Sequence, residues 1–281
     1  MNTEQKHSGF SLTEVLIAIG ILSVAMVFIA GVFPAGIYFA TVATERTIAA
    51  VAADEAFAKI RIYAKGDLST TNDDYDPNRW PLNVKIANAL ADFNNKNVFP
   101  ATVNIDSNEF AYPSVNADVT QKQYCWSALC GLTEIYNATI NPNPPVQVTV
   151  FVCRKANPNL KYPKPPNGSG TPVYWPVPVK VGVSFSGTSK NELQISSGKE
   201  SYINDGYTIV DDATGRIYRV RERYQDDPAT VGLREDTVIL LDKDWDDKGG
   251  SNPPNFVWVV PPPVDGGRYP CIAVYQKVMQ F

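Results

Sequence analysis

Glu14 is a carboxylate with no charged residue near it downstream: the next charge is Glu45, and the thirty residues between them, Val15 to Thr44, carry none. An ionised side chain carried to the centre of a bilayer costs about 2.5–3.5 kcal/mol or more, so it needs a cationic partner. Four cysteines, Cys125, Cys130, Cys153 and Cys271, offer disulfide chemistry, and an even number in an oxidising compartment favours two bridges. Three pairings are open, with free buried thiols as the alternative; locality favours Cys125 with Cys130, leaving Cys153 and Cys271 to tie two predicted strands together. Paired C-x-x-C spacing is absent, which argues against a four-thiolate zinc site. Asp242-Lys243-Asp244-Trp245-Asp246-Asp247 alternates carboxylates as a calcium loop does. Asp247, however, stands where an EF-hand loop has glycine, and no Glu closes the loop, so a solvated acidic turn is the better reading. Arg216, Arg219, Arg221, Arg223 and Arg234 form the basic cluster. Period two places Arg219, Arg221 and Arg223 on one strand face, where they would meet phosphate. The interleaved Glu222, Asp226 and Asp227 favour ordinary cross-strand pairing instead. Trp126, Trp175, Trp245 and Trp258 are core residues by default and glycan platforms if exposed.

The element that holds Glu14 is a long apolar helix. Thirty uncharged residues make about 45 Å of helix, whereas a bilayer core needs only about 20 residues. The run is also too long for the apolar core of an ordinary secretory signal. Pro34 interrupts it, removing a helical hydrogen bond and clashing with the Ala30 carbonyl, so a kink or local melting is expected between Gly31 and Gly36. From Thr44 to Tyr63 the pattern becomes amphipathic, with Ile48, Ala52, Ala56, Ile60 and Tyr63 on one face. Lys6 is the firm positive charge ahead of the span and favours a cytoplasmic N-terminus.

Beyond the helix, Lys65 to Pro81 reads as a connection, and a short second helix is expected from Pro81 to Phe93. Strands are expected at 147–154, 177–185, 207–210, 216–224, 237–241, 255–260 and 272–278, with a hairpin turning at Asp211 to Gly215. Pro-rich loops at 141–145, 163–172 and 261–263 separate them. The expected fold is α+β: a long N-terminal transmembrane helix followed by an antiparallel, loop-rich β head. The net charge of −4 does not describe a surface that coats nucleic acid.

Residues Gly9-Phe10-Ser11-Leu12-Thr13-Glu14-Val15-Leu16-Ile17-Ala18 resemble the cleavage and methylation signature of type IV prepilins and type II secretion pseudopilins. A short polar leader ends in Gly, Phe follows, and a Glu stands four residues later inside an apolar helix. The resemblance covers residues 1–65 and leaves 66–281 without a family. It implies three segments: a leader at 1–9, a membrane and assembly helix at 10–65 and an extracytoplasmic head at 66–281. Gly9 would be the last leader residue, removed by a prepilin peptidase, and Phe10 would become the N-methylated first residue. Glu14 would pair with the new amino terminus of a neighbouring subunit and set the register of assembly. Gly31 stands where many pilins have proline, and Pro34 shifts that helix break without removing it.

On this resemblance the chain is a single-pass protein of the inner membrane before it enters a filament. Its partners are the peptidase, other pilin or pseudopilin subunits, an assembly platform and the lipid bilayer. No cofactor or metal is implied. The one histidine, His7, falls in the leader, so the mature chain would lack every His-dependent triad, general base and zinc site. A non-enzymatic structural subunit is therefore the leading expectation. The alternative is a surface-binding minor pilin, an adhesin or a DNA-uptake subunit; a head this large suggests a specialised rather than a major subunit.

Overall fold

The computed structural model describes residues 11–63, 110–113, 122–132, 146–155, 157, 159–163, 175–224, 237–247 and 253–279. The expected helix at Pro81 to Phe93, the connection at 65–81 and the loop at 141–145 lie outside them, as does most of the loop at 163–172. The chain divides into two compact units, residues 1–47 and 48–281. The division falls inside the first helix rather than at its end, because the last helical turns belong to the head.

Helix α1 runs from Leu12 to Tyr63. It passes through Pro34 without interruption, so the melting expected between Gly31 and Gly36 does not occur. One missing N–H is a local loss, and the intact hydrogen-bond ladder on both sides of it keeps the helix in register. In the first unit the helix is apolar on every side, and its large side chains are open: Leu16, Ile17, Phe28 and Phe33 are each more than 60% exposed. A helix that is hydrophobic all round belongs in lipid or in a bundle of its own kind.

In the second unit the final turns of α1 lie on an antiparallel sheet of order β1-β2-β3-β10. Its strands are β1 (Ala111–Tyr112), β2 (Tyr124–Leu132), β3 (Val146–Arg154) and β10 (Cys271–Met279). Period-two alternation gives the sheet two faces. Trp126, Ala128, Val148, Val150 and Val152 pack under Ala49, Ala52, Ala53, Ala56, Phe57 and Ile60 of the helix. This stripe is broader than the expected Ile48, Ala52, Ala56 and Ile60 set. Ile48 is only half-buried, and the small Ala49 and Ala53 take the central positions.

Between β3 and β10 the chain builds a closed barrel of order β4-β5-β8-β7-β6-β9. Its strands are β4 (Val179–Phe185), β5 (Glu192–Ile195), β6 (Thr208–Asp211), β7 (Ile217–Arg223), β8 (Val238–Leu241) and β9 (Phe256–Val259). Leu193, Ile203, Ile209, Tyr218, Val220, Ile239, Leu241, Trp245 and Val257 fill it, so the interior is a packed core and not a channel. A second cluster joins barrel to sheet, with Val210, Trp258 and Val260 meeting Phe151, Cys125, Cys153 and Cys271. The β6–β7 hairpin also docks on the sheet, where Gln147 and Gln276 donate to the Gly215 carbonyl. Gly215 has φ +69°, and a Cβ there would sit 2.7 Å from the Gln147 amide, so both the turn and the docking require glycine.

Candidate functional site

Ser11 caps α1. Its hydroxyl accepts from the Glu14 amide at 3.3 Å, and its carbonyl accepts from the amides of Glu14 and Val15. Ser11 and Glu14 thus have capping-box spacing, and the carboxylate lies in the first turn, where the helix dipole favours negative charge. The residue read from sequence as a charge awaiting a partner also starts the helix. Gly9 and Phe10 lie outside the described residues.

Downstream of Glu14 the helix satisfies its own Ser and Thr hydroxyls. Ser23, Thr41, Thr44 and Thr47 each donate to the carbonyl four residues earlier, at 2.8 to 3.0 Å. Each hydroxyl therefore has an acceptor without water, as a helix surrounded by hydrocarbon requires.

Of the two expected cysteine pairs, the structure brings Cys153 opposite Cys271 but keeps Cys125 and Cys130 apart. Cys125 and Cys130 both belong to β2, and five residues of strand separate them by about 16 Å, far beyond the reach of a disulfide. The local bridge is therefore ruled out. Cys153 of β3 lies opposite Cys125 on one side and opposite Cys271 of β10 on the other. These three are buried free thiols; the Cys130 side chain lies outside the described residues. Burial pushes the Cys153 thiol well up, and hydrogen bonds to Cys125 and Cys271 add to the effect.

The acidic turn is tied to the barrel. Asp242 accepts from the Arg219 amide, Asp246 pairs with Arg216, and Asp247 pairs with Lys190 at 2.9 Å. Trp245 is buried and stacks on Tyr218, with ring centroids 4.7 Å apart. Among the described residues no three His, Cys, Asp or Glu side chains converge as a metal site.

The arginine stripe is broken. β7 slips by one residue against β8 between Val220 and Glu222, so alternation reverses across the bulge. Arg219 and Arg221 are exposed, but Arg223 stands opposite buried Ile239 and donates to Asn204 at 2.8 Å. Arg234, Asp226 and Asp227 lie outside the described residues. Trp126, Trp175, Trp245 and Trp258 are all buried, which removes them as glycan platforms.

The geometry that remains for function is therefore the capped, lipid-compatible helix with its one early carboxylate. Residues 5–30 match the family model described as the prokaryotic N-terminal methylation motif. The chain carries the signature of type IV pilins and pseudopilins. No curated protein and no solved structure matches the chain. The matched motif spans Gly9, Phe10, Glu14 and the first half of the apolar run. It implies peptidase processing and assembly with other pilin subunits, and with the apolar helix it fits a membrane-anchored pilin. The motif was legible in the sequence. The cysteine row was not, because its strand β2, Tyr-Cys-Trp-Ser-Ala-Leu-Cys-Gly-Leu, is diluted by residues of low strand propensity.

Proposed function

We propose that this chain is a non-enzymatic structural subunit of a type IV pilus or a type II secretion pseudopilus. A prepilin peptidase cuts it after Gly9, Phe10 is N-methylated, and the apolar half of α1 holds the chain in the inner membrane with the head outside the cytoplasm. In the filament Glu14 pairs with the amino terminus of a neighbouring Phe10. The observation that carries the reading is the exposed apolar surface from Leu16 to Phe33 behind one carboxylate in the first turn. Such a surface needs lipid before assembly and other helices afterwards. Within the greasy bundle, a carboxylate beside a freshly cut amine is a matched pair, and either group alone is an unpaired buried charge.

N-terminal mass spectrometry of the native protein tests this. The expected chain begins at methylated Phe10. Protein that starts at Met1 throughout the cell envelope overturns the proposal, as does normal maturation of Gly9→Ala.

A further inference from the structure

Three buried thiols stand side by side across three adjacent strands, with Cys153 in the middle. All three belong to one buried cluster, together with Phe151 and Trp258. Directly opposed residues on antiparallel strands have Cα atoms about 4.5–5.5 Å apart, within the span a disulfide bridges. Three sulfurs share one central partner, so only one bridge closes at a time and one outer thiol is left over.

We propose that Cys125, Cys153 and Cys271 form a thiol–disulfide exchange site in which Cys153 is always half of the bridge and Cys125 and Cys271 alternate as the other half. Thiolate attack on a disulfide expels the far sulfur through an in-line displacement. A row running straight across the strands supplies that alignment: the free outer thiol lies on one side of Cys153 and the bonded outer sulfur on the other.

The chemistry closes with a disulfide oxidant such as oxidised glutathione. The Cys271 thiolate attacks the glutathione disulfide and releases one glutathione thiolate. Cys153 then attacks the Cys271 sulfur of the mixed disulfide, and the second glutathione leaves with the Cys153 proton. Two electrons have passed to the oxidant, and Cys153–Cys271 is formed. Attack by the Cys125 thiolate on Cys153 forms Cys125–Cys153 and releases Cys271 as thiolate, with no net oxidation. Cys271, 7% exposed against 0% for Cys153, is the better entry point for the oxidant.

The two bridges differ in what they tie. Cys125–Cys153 staples neighbouring strands β2 and β3, whereas Cys153–Cys271 closes the chain around the whole barrel. The longer closure constrains the unfolded chain more, and the shorter leaves β10 free of a covalent tether.

The test uses the full-length chain in detergent, equilibrated with a reduced and oxidised glutathione buffer, acid-quenched, unfolded and alkylated before peptide mapping. Wild type is expected to yield peptides linked through Cys153 to both Cys125 and Cys271, with one outer cysteine alkylated per molecule. Cys271→Ser is expected to give only Cys125–Cys153, Cys125→Ser only Cys153–Cys271, and Cys153→Ser no bridge between the outer pair. A bridge that omits Cys153, a single fixed pairing in wild type, or no bridge at any glutathione ratio overturns the proposal. The wild-type map decides the question even if a variant fails to fold, and it does not depend on leader cleavage.

Discussion

The two units of this chain solve opposite problems. In the first unit the large apolar side chains are open, while the hydroxyls of Ser23, Thr41, Thr44 and Thr47 are closed onto the backbone. In the head most described apolar side chains are covered, yet the buried Ser127 hydroxyl finds no hydrogen-bond partner among the described residues. A soluble domain tolerates one unmet hydroxyl because burial of many apolar groups outweighs it. A helix bound for hydrocarbon has no such margin, because its surroundings offer no hydrogen bonds. The difference marks which part of the chain is finished alone and which part is finished by others.

That contrast can be broken first at Glu14. Glu14→Ala should still be processed after Gly9 but should enter filaments at least about tenfold less well, since a lone amine in the bundle loses its matched charge. Immunoblots of sheared filaments against membrane fractions measure this, and wild-type incorporation would end the register role.

The next effect belongs to the head alone. Trp258 is fully buried where barrel meets sheet, and its indole N–H donates to Asp212 at 2.7 Å. Trp258→Ala should cost about 3–5 kcal/mol, read as a lower urea midpoint, with membrane insertion unchanged. Overpacking the helix–sheet contact should cost less: Ala53→Leu, at a position 2% exposed, is expected to lose about 1–3 kcal/mol. An unchanged thermal midpoint for that variant would place the helix away from the sheet.

A pH dependence sharpens the head's side of the division. Burial, reinforced by Asp211 and partly offset by Arg216, pushes the Tyr218 phenol from 10.0 to about 12. The raised value means that the contribution is intact below pH 10. Between pH 10 and about 12 the unfolded chain releases this proton while the folded one keeps it, so stability falls as pH rises. Tyr202, Tyr207 and Tyr269 are pushed upward by burial as well. Alkaline unfolding followed by circular dichroism should therefore begin above pH 10, and Tyr218→Phe should show a shallower decline. The smallest effect is expected at Ser127: Ser127→Ala should raise stability by about 1 kcal/mol, since it removes an unmet polar group. A loss of similar size would mean that the hydroxyl has a partner.

Much of this division was legible before any coordinates. The apolar run, Glu14 and the strands β3, β4 and β6 to β10 follow from period and propensity, with ends within two residues of those observed. What escaped depends on distant contacts. β5 reads Glu-Leu-Gln-Ile, opening on a residue depleted in strands, and β2 is poor in β-branched residues. Arg223 lost its place in the stripe to a bulge that no local pattern announces. Of the cysteine row, the Cys153–Cys271 side was expected from the sequence; Cys125 joins it because β2 pairs with β3 in a register that spacing along the chain cannot reveal.

The return of β10 to β3 after the barrel has a chronological consequence. β10 is the last strand described, and until it arrives one edge of β3 stands open with its backbone groups unpaired. A polypeptide that stalls before Cys271 therefore offers a sticky flank to any extended chain nearby. Completion of the head is thus decided by β10, and a newly made copy stays vulnerable until that strand has zipped into place.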